Sequence, residues 1–340
     1  MSWVRRLMKK ALPILLKLAV TTGLLVWIFC EHRFTESILP HLQALGLNWA
    51  WLPAGLTAVG LSIGLAALRW QVLLRGQGQE VPTSEVLRVT AVSHFFNITS
   101  VGVVGGDAYR VLALMQRPGL RQMPIVASVM LDHLVGMIGV AGLFLSCRSV
   151  YEGRLQLMGA EVRKLVEGFE MFMTGSLVFL VLSVISFTPR LYHWGEGKWP
   201  WMLGYPPLKD FVTACDALRR NWRGSLVAGG LSVLLFLTHF TCFYCAVHAV
   251  GGRAPLRDVL AAMPIVDALA GLPISVSGLG VREKTFETLM HGLTGLPEAT
   301  AVSASLLGWL MGVTWGLLGG LLFLRGSARE KPATAIVRKH

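Results

Sequence analysis

Apolar runs long enough to cross a bilayer divide the chain, and they limit its fold more than any other feature. Six can be read, over 11–30, 48–74, 122–147, 169–187, 225–250 and 299–324. A transmembrane helix needs about 20 predominantly apolar residues. None of the runs alternates with period two, so helices are expected and strands are not. Composition agrees: 54% of residues are hydrophobic, only 15% are charged, and mean hydropathy is +0.58. Soluble domains carry about a quarter charged residues. The expected fold class is all-α, a polytopic integral membrane protein forming a single membrane domain over residues 1–340.

The net charge of +12 has no soluble basic domain to carry it, which argues against nucleic acid as a partner. Lys and Arg instead hold loops in the cytoplasm, and attraction to anionic headgroups is compatible with that. Arg5, Arg6, Lys9 and Lys10 place the N-terminus inside, ahead of a retained signal-anchor. Arg325, Arg329 and Lys331 do the same for the C-terminus, with 327–340 a disordered basic cytoplasmic tail. Arg69 and Arg75 mark the inner end of the second span. Residues 34–45 suit an outer interfacial helix, and 148–168 a polar outer segment. Residues 189–224 form a cytoplasmic loop with an interfacial helix over 208–221. Its GKWPWMLGYPP stretch is an interface anchor or a partner contact. Cys242 and Cys245 form a CxxC inside an apolar run, which makes them buried small residues and not metal or redox ligands.

Between the full spans lie two stretches of a different kind. GLPISVSGLGVREKTFETLMHGLTG (271–295) passes through Ser275, Ser277, Gly278 and Gly280, then meets Arg282 and Glu283 side by side. NITSVGVVGGDAYRVLALM (97–115) has the same grammar, with Gly105, Gly106, Asp107 and Arg110. The two align at a constant offset of roughly 175 residues, as an internal duplication gives. Each half, 1–168 and 169–326, then holds three full spans and one re-entrant helical hairpin. An odd span count inverts the second half relative to the first. The alternative is eight full spans, which also leaves both termini inside.

Irregular backbone at membrane depth is tolerated only where it is buried in protein or lines a wet cavity. Charges there are functional-site candidates by default. Half-helix N-termini present free N–H groups and a positive dipole end. Glycines let the backbone approach an anion closely, and arginine adds bidentate recognition. Such a site suits a phosphate or carboxylate, with Asp107 and Glu283 capping the helices or pairing with the arginines. The other reading is that these charges only pair with one another and lock the hairpins. Asp132-His133 in the third span is a proton relay or, preferably, part of a hydrogen-bonded interhelical pair. Asn97 and His94 read as loop-holding donors. No catalytic, metal-binding or nucleotide motif stands out.

Several of these motifs, in this order, resemble the lysylphosphatidylglycerol synthase transmembrane-region family, also described as a flippase-like domain. They are ALRWQVLL (67–74), Asn97 followed by GVVGGDAYR (102–110), ASVMLDH (127–133) and LPISVSGLGVRE (272–283). The chain departs from the family pattern at Val101, where proline is usual, at Ser277, where glycine is usual, and at His133, where arginine is usual. The resemblance implies a bacterial or archaeal membrane protein, in bacteria of the inner membrane, that moves a lipid between leaflets. The cargo would be a phospholipid, an aminoacylated lipid or a lipid-linked intermediate with an anionic or zwitterionic headgroup. It also implies a stand-alone member without the acyltransferase domain, hence no enzyme and no cofactor. Alternatives are a non-catalytic subunit of a lipid, hopanoid or polysaccharide pathway, and, less favoured, a membrane-embedded transferase. A homo-oligomer or a pathway enzyme is a possible partner. The substrate-binding set comprises Asn97, Gly105, Gly106, Asp107, Arg110, Asp132, Ser275, Ser277, Gly278, Gly280, Arg282 and Glu283, with Arg110 and Arg282 meeting in one pocket.

Overall fold

The computed structural model describes residues 47–99, 104–156, 158–186, 206–272 and 275–329. Its helices in chain order are α1 (Trp51–Gly76), α2 (Thr83–Thr99), α3 (Val104–Met115), α4 (Gln122–Ser146), α5 (Ala160–Ser186), α6 (Pro206–Arg220), α7 (Trp222–Ala249), α8 (Leu256–Ala270), α9 (Val281–Thr294) and α10 (Glu298–Arg329). There is no strand among the described residues. Among the described residues five helices are long and apolar enough to cross a membrane: α1, α4, α5, α7 and α10. The chain is an all-α polytopic membrane protein. The span expected over 11–30, the interfacial segment over 34–45, the tryptophan-rich stretch and the tail from 330 onward lie outside the described residues.

Helices α2, α3, α8 and α9 have 17, 12, 15 and 14 residues. At about 1.5 Å per residue, each is shorter than the roughly 30 Å hydrocarbon core. They come in two sequential pairs, and each pair is followed by a long helix. Starts at residues 51, 83, 104 and 122 are matched by starts at 222, 256, 281 and 298, intervals close to the roughly 175 residues of the sequence alignment.

Packing explains the glycines of the last helix. A Cβ on Gly319 would lie 2.1 Å from the Ala91 carbonyl oxygen, so α2 and α10 touch backbone to backbone. Gly316 and Gly320 face Ile98 and Phe95, and Gly308 faces Phe243. Helices in lipid associate through such small residues, because hydrocarbon offers no hydrophobic drive between them. Cys242 and Cys245 are buried in α7, as their apolar setting requires, and Cys242 Sγ lies 3.7 Å from the Gly308 carbonyl.

Two boundaries move. The helix expected to start at 169 reaches back into the polar outer segment over 148–168, because α5 begins at Ala160. Its charges are satisfied on the helix surface, where Lys164 meets Glu161 at 3.1 Å and Arg163 meets Glu167 at 3.9 Å. At the other end, α10 continues through Arg329, past the Gly326 boundary expected from composition.

Candidate functional site

The first polar centre is an ion-pair cluster around Asp132 on α4. Its Oδ1 accepts from Arg69 Nε at 2.7 Å, and its Oδ2 from Arg110 Nη1 at 3.0 Å. Arg69 Nη1 also donates to Ser232 Oγ at 3.1 Å, and Arg110 Nε to Ser93 Oγ at 3.2 Å. The Arg110 guanidinium carbon stands 5.1 Å from the Trp70 ring centroid. Asp107 lies 3.9 Å from Arg110 and meets His133 Nε2 at 2.8 Å. Helices α1, α2, α3, α4 and α7 all contribute. Two cations and two carboxylates answer one another, so the charges of the cluster are balanced from within. Isolated buried charges are expensive, and pairing with full hydrogen bonding is what makes them tolerable.

This corrects two expectations. Arg69 does not mark the inner interface; it is 8% exposed and buried against Asp132. Arg110 does not meet Arg282 in one pocket, because Asp132 holds it in the cluster. The interhelical reading of Asp132 holds, but its partners come from α1 and α3. His133, the departure from the family pattern, serves Asp107 instead.

The second centre is a cavity of about 310 Å³. Its polar lining is His94 and Asn97 from α2, His239 from α7, Asp267 from α8, and Ser275, Ser277 and Arg282 from the second glycine loop and the start of α9. Gly278, Gly308, Trp309 and Gly312 complete much of the wall. The loop holds itself in place. Ser277 has φ 55°, the one left-handed non-glycine among the described residues. Its carbonyl accepts from Arg282 Nη2, and its hydroxyl accepts from Trp309 Nε1 at 3.2 Å. Gly278 and Gly280 also have positive φ, 72° and 84°. A Cβ on Gly278 would meet the Ala270 carbonyl at 2.8 Å.

Two polar atoms in this wall are inaccessible and without a hydrogen-bond partner among the described residues, Arg282 Nη1 and Ser275 Oγ. No carboxylate of the described residues lies within 4 Å of the Arg282 guanidinium. The neighbouring Glu283 is turned away. It is fully buried, accepts from the Gly280 N–H and lies 3.5 Å from Ser305 Oγ. A carboxylate reaching back to its own helix start is a capping interaction.

The predicted residues therefore separate. Asn97, Ser275, Ser277, Gly278 and Arg282 come together at the cavity. Asp107, Arg110 and Asp132 belong to the ion-pair cluster. Gly106 is a packing residue: its N–H donates to Asn97 Oδ1 at 3.0 Å, and a Cβ there would come within 2.2 Å of that oxygen. Gly105 is absent from the cavity lining. Gly280 and Glu283 shape the start of α9. Missed were Arg69 in the cluster and His94, His239, Asp267 and Trp309 as cavity residues. His239 and Asp267 carried a signal, being ionisable groups inside apolar helices. No group of three or more His, Cys, Asp or Glu among the described residues converges to hold a metal.

Broken short helices, buried charge pairs and a polar cavity among apolar spans define a membrane protein with an internal polar site. The chain belongs to the family described as the lysylphosphatidylglycerol synthase TM region, whose model matches residues 14–324. No curated protein matches the chain.

Proposed function

We propose that the protein is a lipid transporter of the bacterial inner membrane, carrying a lipid with a phosphate-bearing headgroup between leaflets. The observation that carries this reading is the pair of unsatisfied donors, Arg282 Nη1 and Ser275 Oγ, in the wall of one cavity. An unmet buried donor costs about 1–3 kcal/mol, which phosphate oxygens would recover once these side chains turn toward the cavity. Guanidinium is the preferred partner for them. Asp267, His94 and His239 supply acceptors and donors for amine or hydroxyl groups elsewhere on the headgroup. A cavity of about 310 Å³ is headgroup-sized, so the acyl chains remain in lipid.

In this reading α2–α3 and α8–α9 are re-entrant hairpins of an inverted repeat, dipping from opposite leaflets and meeting near the midplane. The site is then reached alternately from each side, as in other inverted-repeat transporters. The second hairpin receives the headgroup and the first provides a rigid wall. Membrane lipids are the partner, and no covalent step is assigned.

The test is flipping of fluorescent phospholipid in proteoliposomes. Arg282→Gln should reduce the rate at least tenfold while leaving the folded fraction unchanged, and Ser275→Ala should reduce it less. Equal rates in wild type and Arg282→Gln would remove the assigned site.

A further inference from the structure

A second cavity lies away from the Arg282 site, where the end of α1 meets α6 and the start of α7. It has a volume of about 750 Å³ and is lined by Arg75, Gln77, Thr213, Asp216, Arg220 and Asn221, among others. We propose that it holds the phosphate of an anionic phospholipid from the cytoplasmic leaflet, as a resident lipid distinct from the transported one. The proposal does not rest on the transport reading.

Three features carry it. The first is a notch built around Asn221. A Cβ on Gly76 would lie 2.5 Å from Asn221 Nδ2, and one on Gly224 would lie 2.3 Å from it. Only glycine on both helices lets the amide sit there. Its side chain has no hydrogen-bond partner among the described residues. The second is charge. Among the described residues Asp216 is the lone carboxylate in the lining, and it is already held by Arg220 at 2.6 Å and Arg219 at 2.9 Å. Arg75 forms no ion pair among the described residues and is exposed. The balance around the groove is positive, with free donors left over.

The third feature is depth. Trp222 is 57% exposed, and the Arg223 guanidinium carbon stands 5.3 Å from its ring centroid. Tryptophan and arginine together mark the headgroup level. One turn further along α7, Leu226 and Val227 are 66% and 54% exposed, as lipid-facing residues are. The groove therefore opens where headgroups are, on the arginine-rich side. Basic pockets at that level favour anionic lipids. A choline headgroup would bring its own cation against Arg75 and gain little.

The experiment is native mass spectrometry of the full chain in detergent, titrated with dioleoyl phosphatidylglycerol or dioleoyl phosphatidylcholine. Wild type should retain phosphatidylglycerol and not phosphatidylcholine. Arg75→Gln should weaken retention about fivefold, as should Arg220→Gln, whereas Arg75→Lys should keep most of it. Arg282→Gln should leave this lipid in place, which separates failure here from failure of the transport site. Unchanged retention in both glutamine variants would overturn the proposal. So would loss confined to Arg282→Gln, or displacement by millimolar glycerol phosphate, which would make the groove a site for a soluble anion.

Discussion

The two broken helix pairs share a sequence grammar and differ in electrostatics. In the first, α2–α3, Arg110 is held by Asp132 and Ser93, and Asp107 by His133. In the second, α8–α9, the carboxylate beside the arginine turns away to cap its own helix, and Arg282 keeps one nitrogen unmet beside a cavity. A glycine loop with an adjacent charge pair therefore does not specify a binding site. What decides is whether a neighbouring helix supplies a counter-charge. Asp132 does so for the first pair; among the described residues nothing within 4 Å does so for the second.

Asp132→Ala is the strongest way to break this comparison. It strands two buried arginines and should cost about 3–5 kcal/mol, seen as a large drop in unfolding temperature in detergent. Asp267→Asn at the cavity should leave that temperature nearly unchanged. Equal losses would mean that the two centres do not differ in kind. Next in size is Gly106→Val, which forces carbon into Asn97 Oδ1 and the Ser93 carbonyl. Overpacking of this sort costs about 1–3 kcal/mol, and the same melting assay measures it.

Trp309→Phe sharpens the other side. It removes one neutral hydrogen bond to Ser277, worth about 0.5–1.5 kcal/mol, and loosens the loop that holds Arg282. Lipid flipping should fall by more than that stability loss accounts for. A flipping rate reduced only in proportion to folded protein would make Trp309 purely structural. The smallest effect belongs to Ser277→Gly. Relief of the left-handed backbone is worth about 1–2 kcal/mol and offsets the lost Trp309 contact. Stability should stay within about 1 kcal/mol of wild type, and a larger loss would show that the hydroxyl matters more than the backbone.

Much of the architecture was legible because apolar length and glycine placement are local signals. The five described long spans, the α6 segment, the short helix pairs and the buried CxxC could all be read from neighbours in sequence. The sites were legible only in part. Asp107, Arg110, Asp132 and Arg282 stood out as charges at depth, but which of them pair is a question of distant contacts. Arg69 reaches Asp132 across 63 positions. Near the end of an apolar run it looked like any basic interface residue. His94 and Trp309 face the same cavity from helices far apart in the chain, and no local pattern links them. The likeness of the two glycine loops suggests that Arg110 and Arg282 share a pocket, and that likeness does not extend to the counter-charge.

The contact between Gly319 and the Ala91 carbonyl has a consequence for biogenesis. The α10 part of the surface that covers α2 is made more than two hundred residues after α2 itself. At about 5–20 residues per second, the ribosome needs tens of seconds to supply it. Through that interval a short, weakly apolar helix with Arg88 and Ser93 along it lacks the wall that α10 supplies. Until α10 arrives, α2 has only its chain neighbours α1 and α3 to pack against.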